Sequence, residues 1–146
     1  MERIERRLFL TNVVLPILTG TMIYILLSPN AFITKAFWSV IGKENPFRGI
    51  QIHTMPYGIQ FIRYHICDFL WAMTLYSTVI LVMGNDKIRW SILIATVFIV
   101  GMEGLQLSDA ISGTFDVKDI VVEVLAGWIT YFLFMQRRRL TYEESD

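Results

Sequence analysis

The sequence predicts an all-α membrane protein, in which four transmembrane helices form a bundle and an amphipathic interfacial helix lies in the first outer loop. The first observation is composition: 54% of the 146 residues are apolar and 18% are charged, against about 45–50% and about 25% in soluble domains. The second is that the apolar residues fall into blocks of about 20 residues, the length that crosses a bilayer. The third is that polar turn sequences separate these blocks. We therefore do not expect a soluble monomer.

The four apolar blocks make up a single predicted domain over residues 1–146. Their approximate limits are 8–27, 66–83, 90–107 and 117–135. Ser28-Pro29-Asn30 ends the first block, and Gly84-Asn85-Asp86 separates the second from the third; both are typical turn sequences. Helices are expected because each backbone amide inside a bilayer must be hydrogen-bonded within its own segment.

Positive residues predict the orientation, because Lys and Arg accumulate on the cytoplasmic side of a membrane. Eight lie at the N-terminus, in the second turn and in the tail: Arg3, Arg6, Arg7, Lys87, Arg89, Arg137, Arg138 and Arg139. Five lie in the other two loops: Lys35, Lys43, Arg48, Arg63 and Lys118. This bias predicts a multi-pass protein with both termini in the cytoplasm.

The first outer loop contains a segment, Ala31 to Gly42, in which apolar residues recur at helical spacing around Trp38. The pattern indicates an amphipathic helix that lies in the headgroup region with Trp38 as an anchor. A helix folded back over the bundle is the alternative. Residues 44–64 show no clear period and receive no assignment.

Few ionisable or amide side chains remain within the apolar blocks, where an ionisable group is costly without a partner or a role. With a rise of 1.5 Å per residue from the cytoplasmic end, Glu103, Asp68 and Glu123 lie at depths of about 20, 22 and 18 Å. Gln106 and Asp119 lie near 24 Å on the same count. Thr21 and Tyr24 of the first block lie at about 20 and 24 Å, so four helices place polar groups in one layer beneath the outer boundary.

The spacing also places these groups on shared helix faces. Glu103 and Gln106 are three residues apart, and Asp116, Asp119 and Glu123 are spaced by three and four. Each set therefore projects from one side of its helix. We expect one acidic pocket that opens outward, with these predicted binding residues: Asp68, Glu103, Gln106, Asp116, Asp119 and Glu123.

Carboxylates so close together cannot all be ionised at once. One outcome is general acid or base chemistry, for which Glu103 and Asp119 are the candidate catalytic residues. The other is a bound hard cation, Mg²⁺ or Ca²⁺, which takes oxygen ligands. The candidate metal ligands are Asp68, Glu103, Asp119 and Glu123. His65 would lie one turn above this group if its helix begins early enough.

Each of these signals also has a structural interpretation. Asp116 with Asp119, and separately Asp68, are typical of helix caps and first turns. Glu103 and Gln106 are suited to hydrogen bonds between neighbouring helices. Close helix contact is expected at three glycines: Gly101, Gly104 and Gly127.

Short motifs in the second half of the chain occur in a fixed order: Met102-Glu103-Gly104-Leu105-Gln106, then Gly113-Thr114-Phe115-Asp116, then Asp119-Ile120 with Gly127 eight positions on. Before them stands Cys67-Asp68-Phe69-Leu70-Trp71-Ala72. The set resembles the VanZ-like membrane proteins, although Glu123 stands where many relatives carry Asn. The resemblance implies a small bacterial inner-membrane protein associated with the cell envelope, in a family named for low-level glycopeptide resistance.

Two classes of function follow. In the first, the pocket binds or acts on an envelope component, such as a lipid-linked phosphate or a peptidoglycan precursor. In the second, the protein is a noncatalytic membrane partner or a minor transporter, and its acidic layer is structural or a cation path. The chain contains no G-x-S-x-G, H-E-x-x-H or P-loop sequence, so enzyme activity stays an open question.

Charge and cysteine content narrow the range of partners. The formal net charge is zero, so no nucleic acid partner is expected. Cys67 is the only cysteine, which excludes an internal disulfide framework and a multi-cysteine zinc site. The lipid bilayer is the expected environment, and association with a second copy of the chain is left open.

Overall fold

A computed structural model describes residues 3–49, 51–107 and 116–143, which form only helices and the turns that join them. The predicted all-α class is therefore confirmed for the described part of the chain. Seven α-helices are present there, together with short π and 3₁₀ turns. The motif residues Gly113, Thr114 and Phe115 lie outside the described ranges.

The first apolar block forms one helical run made of α1 (Arg3–Phe9), a π turn (Leu10–Val14) and α2 (Leu15–Leu27). The wider π turn stands directly before Pro16, which has no amide hydrogen to donate and whose ring would clash in a regular helix. The run ends at Leu27, because Ser28 leaves helical geometry ahead of Pro29. The predicted end of the first block is correct.

The amphipathic segment forms helix α3 (Phe32–Ile41), which ends at Gly42 with a left-handed φ of 70°. Gly tolerates this conformation without a steric cost, which makes it a common helix terminator. Most apolar side chains of α3 are exposed, among them Phe32 at 84% and Val40 at 89%, whereas Thr34 is fully buried. Trp38, the predicted anchor, is half-buried, and its ring lies 6.4 Å from that of Phe47.

The second membrane helix begins much earlier than predicted, at Tyr57 rather than at residue 66. It consists of α4 (Tyr57–Phe61), a π turn (Ile62–Ile66) and α5 (Cys67–Met83), a continuous run of 27 residues. The polar side chains of Gln60, Arg63 and His65 hide its apolar period in the sequence. Asp68 therefore lies well inside a helix, and its interpretation as a helix cap is wrong.

The remaining helices are α6 (Ile88–Leu107) and α7 (Val117–Glu143), with a 3₁₀ turn (Asn85–Lys87) before α6. Among the described residues, three helices are long and apolar enough to cross a membrane: Arg6–Leu27, Tyr57–Met83 and Ile88–Gln106. The predicted fourth span, 117–135, falls within α7, whose first two turns carry Lys118, Asp119 and Glu123. The chain therefore has the helices of a membrane protein.

Helix α5 is the centre of the bundle and packs against α2, α6 and α7. The core around it comprises Ala72, Tyr76, Ala95, Ile99 and Ala126. Gly127 of α7 admits the ring of Tyr76, since a Cβ at position 127 would lie 2.6 Å from Tyr76 Cζ. The expected close contact is confirmed for Gly127.

The same expectation is wrong for the two glycines of α6. A Cβ at Gly101 or Gly104 would meet no atom of the described residues within 4 Å. Helix α6 therefore approaches α5 through other positions, and neither of its glycines contacts another helix of the described residues.

Candidate acidic site

Four carboxyl groups from three helices converge in the half of the bundle that carries α4 and the start of α7. Asp68 comes from α5, Glu103 from α6, and Asp119 and Glu123 from consecutive turns of α7. Every pair among the four interacts electrostatically. We call these four residues the acidic cluster. The structure thus brings together the residues that the sequence placed at one depth.

Glu103 is the most buried member, with 8% of its surface exposed. Its Oε1 accepts a hydrogen bond of 3.1 Å from Gln106 Nε2, and its carboxyl group also accepts one from the backbone N–H of Asp116. Its Oε2 is buried and has no partner among the described residues. Gln106 therefore bonds within its own helix, and Glu103 joins α6 to the start of α7.

Asp116 lies beside the acidic cluster but caps α7 with its side chain. Its Oδ1 accepts a hydrogen bond of 2.9 Å from the backbone N–H of Lys118, and its carbonyl accepts one of 3.0 Å from the N–H of Asp119. The capping interpretation is confirmed for Asp116, which is exposed. Asp119 instead directs its carboxyl group toward another helix.

Asp119 faces His65, which lies in the π turn before α5. The distance from His65 Nδ1 to Asp119 Oδ1 is 3.9 Å, and the His65 ring also meets the Phe61 ring edge to face at 5.1 Å. His65 and Val117 line a cavity of about 290 Å³ together with four further residues: Phe61, Lys118, Val121 and Val122. Because its helix begins early, His65 takes the position above the acidic cluster that the sequence allowed.

Glu123 connects the acidic cluster with hydroxyl groups deeper in the bundle. Its Oε2 is buried without a partner among the described residues, and it interacts electrostatically with the fully buried Tyr76. The Tyr76 hydroxyl shares a hydrogen bond of 3.0 Å with Thr96 Oγ1. On α5, the buried Ser77 Oγ likewise has no partner in the described ranges. Polar groups thus continue inward from the acidic cluster.

The acidic cluster does not form a ready coordination sphere. Within the described ranges, no group of three or more His, Cys, Asp or Glu side chains is arranged to hold a metal ion. The four predicted ligands, Asp68, Glu103, Asp119 and Glu123, are therefore near one another but not arranged as one metal-binding set in this part of the chain. Cys67 is buried, and its Sγ lies 3.4 Å from the carbonyl of Gly20, so it is no exposed nucleophile.

One charged residue near the acidic cluster was predicted only as a loop charge. Arg63 lies in the π turn, with its Cζ 4.3 Å from the centroid of the Tyr24 ring and its Nε donating to Ser28 Oγ. It also interacts electrostatically with Asp68. The sequence places Arg63 five residues before Asp68. This spacing indicates proximity only if the helix already includes Arg63, and the sequence did not predict so early a start.

Comparison of the chain with protein-family models, with curated proteins and with solved structures finds no match. The likeness to the VanZ-like proteins therefore stays a prediction from short motifs. What supports a function is the geometry of the acidic cluster and of the residues around it.

Proposed function

We propose that the protein is a bacterial inner-membrane protein of the VanZ-like type that serves the cell envelope by binding a cation at the acidic cluster. The cation is Mg²⁺ or Ca²⁺, free or carried by an envelope precursor. One observation supports this most directly: four mutually repelling carboxyl groups include two buried oxygens, Glu103 Oε2 and Glu123 Oε2, without a partner among the described residues. A cation would offset both the repulsion and the missing hydrogen bonds.

The proposal includes four spans, with α7 as the fourth, and α3 lying in the outer interface. This topology puts both termini in the cytoplasm and the acidic cluster in the outer half of the bilayer. The exposed apolar faces of α3 and α7, including Phe32, Trp128 and Phe132, are those that lipid would cover. We assign no catalytic step to Glu103 or Asp119.

A titration with divalent cations tests the proposal on the purified protein in mild detergent. Mg²⁺ or Ca²⁺ should stabilise the unaltered chain by about 2.7 kcal/mol when the cation concentration is 100 times Kd. This stabilisation is seen as a higher unfolding temperature. Glu103→Gln keeps a side-chain oxygen for the bonds from Gln106 and Asp116 but removes the charge, so the shift should disappear. Glu44→Gln, at an exposed acidic residue of the outer loop, is the matched control. An undiminished shift in Glu103→Gln would exclude cation binding by this carboxylate.

A second candidate function, a proton or cation path, is favoured by the polar groups that continue inward from Glu123 to Tyr76 and Thr96. In vesicles with an internal pH dye, an imposed potential should drive proton flux that Tyr76→Phe reduces and Tyr57→Phe, at an exposed position, leaves unchanged. Flux equal to that of protein-free vesicles removes this candidate.

A further inference from the structure

A separate polar cavity lies at the outer ends of α2 and of the helix that begins at Tyr57. Its volume is about 220 Å³, and it is formed by three stretches of chain, residues 27–31, 51–53 and 63–64. None of its lining residues belongs to the acidic cluster. Its polar side chains are Ser28, Asn30, Gln51, His53, Arg63 and Tyr64.

Arg63 is held in this cavity in a defined orientation. The ring of Tyr24 lies against the guanidinium at 4.3 Å, and Nε is engaged by Ser28 Oγ. A guanidinium stacked through its face and bound through Nε retains its terminal N–H donors at the edge. Arg63 interacts electrostatically with Asp68 of the acidic cluster, but no salt bridge joins it to a carboxylate within the described residues.

A fixed guanidinium with free terminal donors is suited to a phosphate group, which it binds through two parallel hydrogen bonds. His53, Gln51 and Asn30 add further polar groups within the same cavity. Ala31, which also lines the cavity, directly precedes α3 and its exposed apolar face. A ligand with a phosphate in the cavity would therefore have its apolar portion beside an apolar helix face.

We propose that this cavity binds a phosphate ester, with Arg63 as the residue that contacts the phosphate oxygens. The bound phosphate can come from two sources. One is the headgroup of an outer-leaflet phospholipid or a lipid-linked phosphate, and the other is free phosphate. This proposal does not rest on the proposed function, because phosphate binding at Arg63 requires no cation at the acidic cluster.

The test measures the unfolding temperature of the purified full chain in a nonionic detergent with three probes. These are inorganic phosphate, dihexanoyl phosphatidylglycerol and, as the phosphate-free control, dihexanoyl glycerol. A shift with phosphatidylglycerol alone assigns the site to a lipid, and a shift with inorganic phosphate as well assigns it to phosphate itself. Either result supports the site if dihexanoyl glycerol has no effect.

Variants then establish whether Arg63 is responsible. Arg63→Gln should weaken phosphate-dependent stabilisation at least tenfold in probe concentration, whereas Arg48→Gln, which removes an exposed charge of the same outer loop, should not. Arg63→Lys keeps a cation beside Tyr24 but lacks the two-pronged donor geometry, so it should fold and still bind more weakly. The absence of a shift with both phosphate probes in the unaltered chain overturns the proposal, as does an unchanged shift in Arg63→Lys together with Arg63→Gln.

Discussion

A carboxyl group that enters a helix bundle loses its hydration and must gain hydrogen bonds or a counter-charge in return. The carboxyl group of Glu103 accepts two hydrogen bonds from described residues. One comes from Gln106 within α6, and the other comes from the backbone amide of Asp116 at the start of α7. These bonds fix the side chain, while Oε2 is left without a partner in the described part of the chain. Such an oxygen is available to a proton, a water molecule or a cation. The fold thus fixes the Glu103 side chain but leaves its Oε2 without a hydrogen-bond partner among the described residues.

The cap of α7 provides a prediction for Asp116. Asp116→Ala should lower the free energy of unfolding by about 1 kcal/mol, because the N–H of Lys118 loses its acceptor. Asp116→Asn should cost much less, since its amide oxygen still accepts that bond. Thermal unfolding in detergent measures both, with Glu44→Ala as an exposed control. Loss of cation-induced stabilisation in Asp116→Asn, at unchanged unfolding temperature without cation, would contradict a purely capping role.

Helix α7 contacts α5 most closely where Gly127 meets Tyr76. The ring cannot move aside readily, because Tyr76 is fully buried and its hydroxyl is bonded to Thr96. Gly127→Ala should therefore destabilise the protein by about 1–3 kcal/mol, the usual cost of overpacking. Gly101→Ala is the matched control, since its Cβ would meet no described neighbour within 4 Å and Ala favours helix by about 1 kcal/mol over Gly. Equal unfolding temperatures for the two variants would show that the contact is less rigid than described.

The elements explain which parts of the site were predictable. The groupings of Glu103 with Gln106 and of Asp119 with Glu123 follow from spacing within one helix, which the sequence contains directly. The contact of Arg63 with Tyr24 depends on where the second helix begins and how it is rotated, and the π turn at Ile62–Ile66 alters both. Polar residues in this turn interrupt the apolar period that identified the other spans. The fold class was therefore predictable, but the outer end of this helix and its cavity were not.

At the scale of the whole molecule, the acidic cluster lies toward one end of the bundle, with Arg63 and Lys118 beside it. The basic residues Arg6, Arg7, Lys87 and Arg89 lie at the opposite ends of the helices. Around the bundle, large apolar side chains are exposed on α2, α6 and α7. This distribution suits a bilayer around the bundle, and in the proposed topology α7 crosses the membrane as a fourth span.

Labelling of single introduced cysteines distinguishes four spans from three. Cys67 is 1% exposed, so the unaltered chain should give no background with a membrane-impermeant maleimide. Thiols are introduced at three exposed positions: in the loop after α3 by Glu44→Cys, in the turn before α6 by Asp86→Cys, and near the end of α7 by Gln136→Cys. In intact cells only Glu44→Cys should react, and the other two should react once the membrane is permeabilised. Labelling of both Gln136→Cys and Glu44→Cys in intact cells would mean that α7 does not return to the cytoplasm. The acidic cluster would then lie at a boundary between lipid and water and not inside a bundle of four membrane-spanning helices.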